Sequence, residues 1–336
     1  MRKVAGLAGL LFALVIIICV TEYARKGQIA FLSSMNLRTQ LQWIGLFGIL
    51  SLGQAFVILT GGIDLAVGSV ICLTGVSAAM LFERCAAAGL PTGLAVVAVL
   101  VLSTAIGAWH GLLVAIVRMQ PFVVTLCGLF LYRGIARYIA EDRTKGFGSD
   151  HLGWKWLGQG FVPTPESLMP VAFIVFLALA AIVGLFFHQT AKGRHLFALG
   201  ANEDAARFSG INTTSLKIMA YTMSGLFAGI GGLLLAFKVN SIGPSEFGNF
   251  YELYAIAGVV LGGFSLRGGS GNILGVLVGV AVMRVLQNMV TLLNIPSELT
   301  QVVIGGAILA GVLIDELLTR GRGPRRLSRA AQTKPA

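Results

Sequence analysis

The stretch LQWIGLFGILSLGQAFVILT (residues 41–60) runs directly into GGID (61–64) and then into LAVGSVICLTGVSAAMLF (65–82). Each apolar run is long enough for a helix, rising about 1.5 Å per residue, to cross a hydrocarbon core of about 30 Å. A membrane barrel would show alternating segments of about ten residues instead. On either side, comparable runs occur at Val4–Val20, Gly93–Val117, Phe122–Ala140, Leu168–Phe187, Leu216–Phe237, Leu253–Gly263, Ile273–Leu293 and Leu299–Leu318. With Leu41–Thr60 and Leu65–Phe82 they predict an all-α polytopic bundle of eight to ten spans. The run at Leu253–Gly263 is short for a full crossing, which leaves it as a re-entrant or partly unwound segment buried in protein.

Composition agrees. The 336 residues are 56% hydrophobic and 12% charged, against about a quarter charged in soluble domains. The net charge of +11 sits at the ends of apolar runs rather than among exposed aromatics, so nucleic acid is excluded as a partner. The first run follows Arg2 and Lys3, and Thr21-Glu22-Tyr23-Ala24 lacks the small-residue pair of a cleavage site, so it reads as an uncleaved anchor. With the amino terminus in the cytoplasm, 14 Lys and Arg fall inside, eight outside, and three (Arg133, Arg137, Arg284) within spans. The excess of inside charge supports that orientation and places both termini in the cytoplasm. The chain then reads as one membrane domain, residues 1–318, with a cytoplasmic loop at 188–215 and a basic cytoplasmic tail at 319–336.

Metal, disulfide and catalytic chemistry find no constellation. Cys19, Cys72, Cys85 and Cys127 form no Cys-x-x-Cys pair, and His110, His151, His188 and His195 are not spaced as ligands or as a catalytic cluster. No glycine-rich phosphate loop ending in Gly-Lys-Ser or Gly-Lys-Thr occurs. The chain is therefore expected to hold no cofactor and to carry out no ATP hydrolysis itself.

Gly61-Gly62 breaks the helix inside the membrane, where freed backbone groups must be satisfied by protein or by a cavity. Asp64 then stands where it can cap the next helix, or contact a solute. The pattern GGxxLxxGS recurs as Gly262-Gly263-Phe264-Ser265-Leu266-Arg267-Gly268-Gly269-Ser270, a duplication or a chance match among glycine-rich segments. Between Gly200 and Gly210, Asn202 reads as an N-cap, Glu203 and Asp204 as first-turn acids and Gly210 as the stop of a short helix. Its Ala205 and Ala206 beside Phe208 suit close docking, onto its own bundle or onto another protein. Arg284, Gln287, Asn288 and Thr291 form a polar stripe, and Thr125, Tyr132, Arg133 and Arg137 a less regular one. Such stripes face a watery pathway or another helix. Gly271, Gly275 and Gly279 form a small-residue row for helix packing.

Several of these blocks resemble one family. Phe56–Ser69 looks like the signature of the ribose-type sugar permeases of ATP-binding cassette importers, and Pro121–Leu126 followed by Arg133-Gly134 is similar to its next block. Gly193-Arg194, Ala198–Glu203, Ala206 and Ser209–Asn212 resemble the family's cytoplasmic coupling segment, and Tyr251–Ala257, Val259–Gly263 and Ser265-Leu266 continue the match. Tyr254, where an acid is usual, and Ala66, where serine is usual, depart from the pattern. The resemblance implies a multi-pass permease of the bacterial inner membrane that pairs with a second, identical or related, permease chain. Two cytosolic ATPases, with ATP and magnesium, would dock on Gly200, Asn202–Ala206, Phe208 and Gly210, and a periplasmic binding protein would deliver a monosaccharide. Gly61, Gly62, Asp64, Gly262 and Gly263 would form helix breaks or gates, and Thr125, Arg133, Arg284, Gln287 and Asn288 are pathway candidates. The competing reading is a self-contained ion-coupled carrier or channel, whose expected sign is paired carboxylates within the membrane; a permease for a nucleoside or other small polar solute also fits.

Overall fold

Ser33, whose side chain accepts the Asn36 N–H at 3.3 Å, starts the helix that residues 41–60 predict. This helix and its neighbours belong to a computed structural model that describes residues 2–149, 151–163, 168–296, 299, 301–302, 305–306 and 309. The helices are α1 (Arg2–Lys26), α2 (Ser34–Leu59), α3 (Val67–Ala87), α4 (Gly93–Ala115), α5 (Pro121–Ala140) and α6 (Leu152–Gln159). After a small antiparallel hairpin, β1 (Phe161–Pro163) with β2 (Leu168–Pro170), come α7 (Val171–Gln189), α8 (Ala191–Ala201), α9 (Glu203–Phe208), α10 (Thr213–Val239), α11 (Tyr251–Leu261) and α12 (Ile273–Leu292).

Eight of these helices are long and apolar enough to span a bilayer. They sort by burial. The α2 span is 89% buried and stands at the centre, packed by α7, α10, α11 and α12, whereas the α1 span is 11% buried and lies at the rim against α12. On α4, α5 and α7 the outward faces carry Val97, Val101, Phe130, Leu131, Ile182 and Leu185, all exposed. Apolar side chains facing outward and polar ones facing inward are what lipid as solvent demands. The run expected at Leu299–Leu318 and the tail at 319–336 lie largely or wholly outside the described residues.

The short eighth run forms a partly unwound crossing rather than a re-entrant loop. α11 has 11 residues, about 16 Å of helix and half of the hydrocarbon thickness. Ahead of it, Ile242 bridges to Lys145 beyond the end of α5, while after it Gly269 donates to the Leu59 carbonyl at the far end of α2. The connection therefore runs from one end of the bundle to the other. Its non-helical part needs partners, and Arg133 on α5 supplies them, donating to the carbonyls of Pro244 at 3.2 Å and Phe247 at 2.5 Å. The small-residue row does pack: side chains at Gly275 and Gly279 would strike the backbone of α11 at Gly262 and Gly258.

Candidate functional site

Both GG motifs end helices in the same way. Gly61 (φ +79°) and Gly263 (φ +86°) take the left-handed conformation that glycine adopts without strain. Gly62 N–H then reaches back to Val57 O at 3.1 Å and Phe264 N–H to Val259 O at 3.2 Å, the six-to-one closure of a Schellman turn. The left-handed residue is the first glycine of one pair and the second of the other. The two copies are thus offset by one residue, and the chain beyond each turn also differs: α3 starts at Val67, directly after its loop, whereas α12 starts only at Ile273.

These breaks touch each other and the α8–α9 segment. Gly269 N–H bonds Leu59 O at 2.9 Å, and a side chain at Gly200, in the last turn of α8, would strike both Leu59 O and Gly269 N. Three chain segments thus meet through backbone alone. From Gly200 the chain enters α9, whose N-cap Asn202 accepts the Ala205 N–H at 2.9 Å. Glu203 pairs with Lys217 on α10 at 2.7 Å, holding α9 against the bundle, and Gly210 (φ +80°) turns the chain away. Ala206 faces inward and is buried, while Asp204 and Ala205 face outward and Phe208 is 91% exposed. A cavity of about 680 Å³ separates α9 from the Gly61–Gly62 turn; Arg118, Lys217 and Tyr221 are among its lining residues.

Asp64 is 4% exposed. One carboxylate oxygen accepts the Ala66 N–H at 3.0 Å, just before α3, and the other accepts the Ser224 hydroxyl at 2.7 Å. The Gln54 amide bonds the Asp64 carbonyl, and Thr125 donates to Ile63 O at 3.2 Å. The break is therefore pinned by side chains from α2, α5 and α10. Nearby, Tyr132 Oη and His110 Nε2 lie 3.0 Å apart, and the buried Tyr221 hydroxyl has no partner among the described residues.

At the other end of α2 and α12 a second cavity of about 680 Å³ opens. Asn36 and Asn288 exchange amide hydrogen bonds at 3.1 and 3.0 Å. The Arg284 guanidinium lies 5.4 Å over the Trp43 ring and 5.8 Å over Phe47, and bonds Gln287 and, at 3.4 Å, Gln40. Tyr251 and Tyr254 of α11 close the aromatic wall, edge-on to Phe47. Aromatic faces beside amide and guanidinium donors form a lining suited to a polyhydroxylated solute.

A family model described as branched-chain amino acid transport system / permease component matches residues 36–312. The chain belongs to this permease family. The permease is 38% identical over 312 residues to the ribose import permease protein of Escherichia coli, covering 91% of this chain and 92% of that protein. It is 35% identical over 319 residues to the ribose import permease protein of Bacillus subtilis, covering 94% and 93%, and 32% identical over 346 aligned positions to the xylose transport system permease protein of E. coli, covering 87% of each. No solved structure matches it significantly. The permease is accordingly a multi-pass transport component rather than a catalyst.

The candidate residues divide into two groups. Gly200, Gly61, Gly62 and Asp64 come together at the α9 end, with Thr125 bonded to the same break; Gly262 and Gly263 end α11, and the loop after them reaches the junction at Gly268 and Gly269. Arg284, Gln287 and Asn288 gather at the opposite cavity, whereas Arg133 is occupied with the unwound segment before α11. Asn36, Gln40, Trp43 and Phe47 escaped sequence reasoning although they repeat every three to four residues, because the stripe begins in the polar lead-in before the apolar run. Tyr132 belongs to the less regular stripe, whereas Ser224, Gln54 and His110 carry no local signal, since three different helices contribute them. Asp64→Ala is expected to cost about 3 kcal/mol, by removing the side-chain acceptor of two buried donors, and Ser224→Ala about half of that. Thermal unfolding of the purified variants reads the difference.

Proposed function

We propose that the permease is the membrane subunit of an ATP-driven sugar importer of the bacterial inner membrane, working by alternating access. A cytosolic ATPase docks on α9, a second permease chain completes the pathway, and a periplasmic binding protein delivers the solute. The backbone junction of Leu59, Gly200 and Gly269 carries this reading. It joins an outward-facing helix, bearing an exposed phenylalanine, to the helix breaks inside the bundle with no flexible side chain between them. ATP and magnesium belong to the partner. Its binding cycle biases two bundle states through α9, because an effector acts only through differential affinity for the two. Sugar as cargo is supported by the ribose and xylose permeases it resembles and by the aromatic and amide lining of the α12 cavity.

Uptake of labelled sugar in cells carrying the whole transporter tests the energy source. Uptake should vanish when the ATPase cannot bind nucleotide and should survive an uncoupler as long as cellular ATP is maintained. Uptake that persists without the ATPase and collapses with the uncoupler would identify an ion-coupled carrier instead.

A further inference from the structure

Among the described residues, the cavity beside α12 holds a cation without an anion. Two nitrogens of the Arg284 guanidinium bond the neutral side-chain carbonyls of Gln287 and Gln40, and Nε is sealed from solvent with no partner among the described residues. None of the described residues lining the cavity is Asp or Glu. Neither neighbouring acid pairs with it: Glu252 on α11 presents its carboxylate to Gly68 of α3, and Glu22 on α1 accepts the Phe31 N–H at 2.8 Å. Among the described residues no carboxylate lies within ion-pair distance of Arg284. The side chain is partly exposed to the cavity, and the amide carbonyls and ring faces around it supply no counter-charge. Among the described residues the site lacks a planar anion, for which the guanidinium fork is shaped.

We infer that the solute selected at this cavity is a sugar acid, an aldonate or uronate. Arg284 takes its carboxylate, Asn36, Asn288 and Gln287 take its hydroxyls, and the Trp43 and Tyr254 rings cover its C–H face. The inference rests on reading this cavity as part of the sugar pathway. A neutral pentose would satisfy the amides and rings equally well but would leave the arginine unpaired, so charge is what discriminates between the two classes.

The test is ligand-induced thermal stabilisation of the purified full-length permease, titrated at constant ionic strength with sodium D-gluconate, sodium D-glucuronate, D-ribose, D-glucose and sodium acetate. A sugar acid should act at concentrations about tenfold below those of the neutral sugars, the gain of one charge-assisted bidentate pair, and acetate, lacking hydroxyls, should not act. Arg284→Gln should erase that preference, bringing the sugar acid and the neutral sugars to the same midpoint. Tyr254→Glu, which supplies an internal carboxylate and keeps the arginine, should move the preference toward neutral sugars even if the first variant folds poorly. Equal or tighter binding of D-ribose or D-glucose to the wild type overturns the inference and leaves the pathway reading intact, as does a preference that survives Arg284→Gln. If neither class stabilises the wild type while the assembled transporter still imports sugar, the cavity is not on the pathway and both readings fall.

Discussion

Gly200→Val should abolish uptake while leaving the ATPase bound. The Cβ of any other residue at this position would meet Leu59 O and Gly269 N, with Gly269 Cα at 3.0 Å. A rotamer change cannot relieve such a clash, because Cβ and all of its targets are fixed by backbone. The end of α8 must move away from the helix breaks, at an expected cost of about 3 kcal/mol. If that junction transmits the state of α9 to Gly61 and Gly263, a bias of this size corresponds to about a hundredfold in the balance of two bundle states. The outward face of α9 is untouched, so affinity for the ATPase should change by less than about threefold. Initial uptake rate and the amount of co-purified ATPase separate the two effects. Gly134→Val, at a position where a Cβ would meet no atom of the described residues within 4 Å, is the control for valine in a span. Uptake near wild type in the Gly200 variant would remove the junction from the mechanism.

The second large effect is expected at the tip of α9. Phe208 is 91% exposed and stands beside exposed Asp204 and Ala205. An exposed aromatic at a protein interface is a typical anchor, and Phe208→Ala should weaken ATPase binding by about 2 kcal/mol, near thirtyfold. Ala205→Trp should act in the same direction by overfilling the contact. Ala206→Trp belongs to a different class, because Ala206 is buried against this chain's own bundle and its enlargement should lower the yield of folded permease. Size-exclusion profiles of the permease alone distinguish the classes: normal for the Phe208 and Ala205 variants, aggregated for the Ala206 variant. Full ATPase recovery with Phe208→Ala would place the docking surface elsewhere.

How much of this is legible in the sequence depends on the range of the interactions. Apolar length and composition are local quantities, so the spans from Leu41 to Phe82 and onward are legible, as is the shortness of the segment at Leu253. Capping is local too, and Asn202, Glu203 and Gly210 mark α9 with its ends nearly in place. The junction of Leu59, Gly200 and Gly269 is not legible, because three backbone segments far apart in sequence meet there with no side chain to mark them. Long-range packing also settles the two polar stripes. Arg133 and Arg284 are alike by periodicity, yet one binds the carbonyls of an unwound segment and the other faces a cavity. The GGxxLxxGS echo shows the limit of pattern alone: its glycines close the same type of turn, one residue out of register.

The most direct measurement is recovery of the tagged permease from its native membrane, with identification of bound proteins and an assay of ATP hydrolysis. A nucleotide-hydrolysing chain should co-purify with the wild type and be lost with Phe208→Ala. A stable permease without such a partner, transporting solute on its own in proteoliposomes, would contradict this expectation.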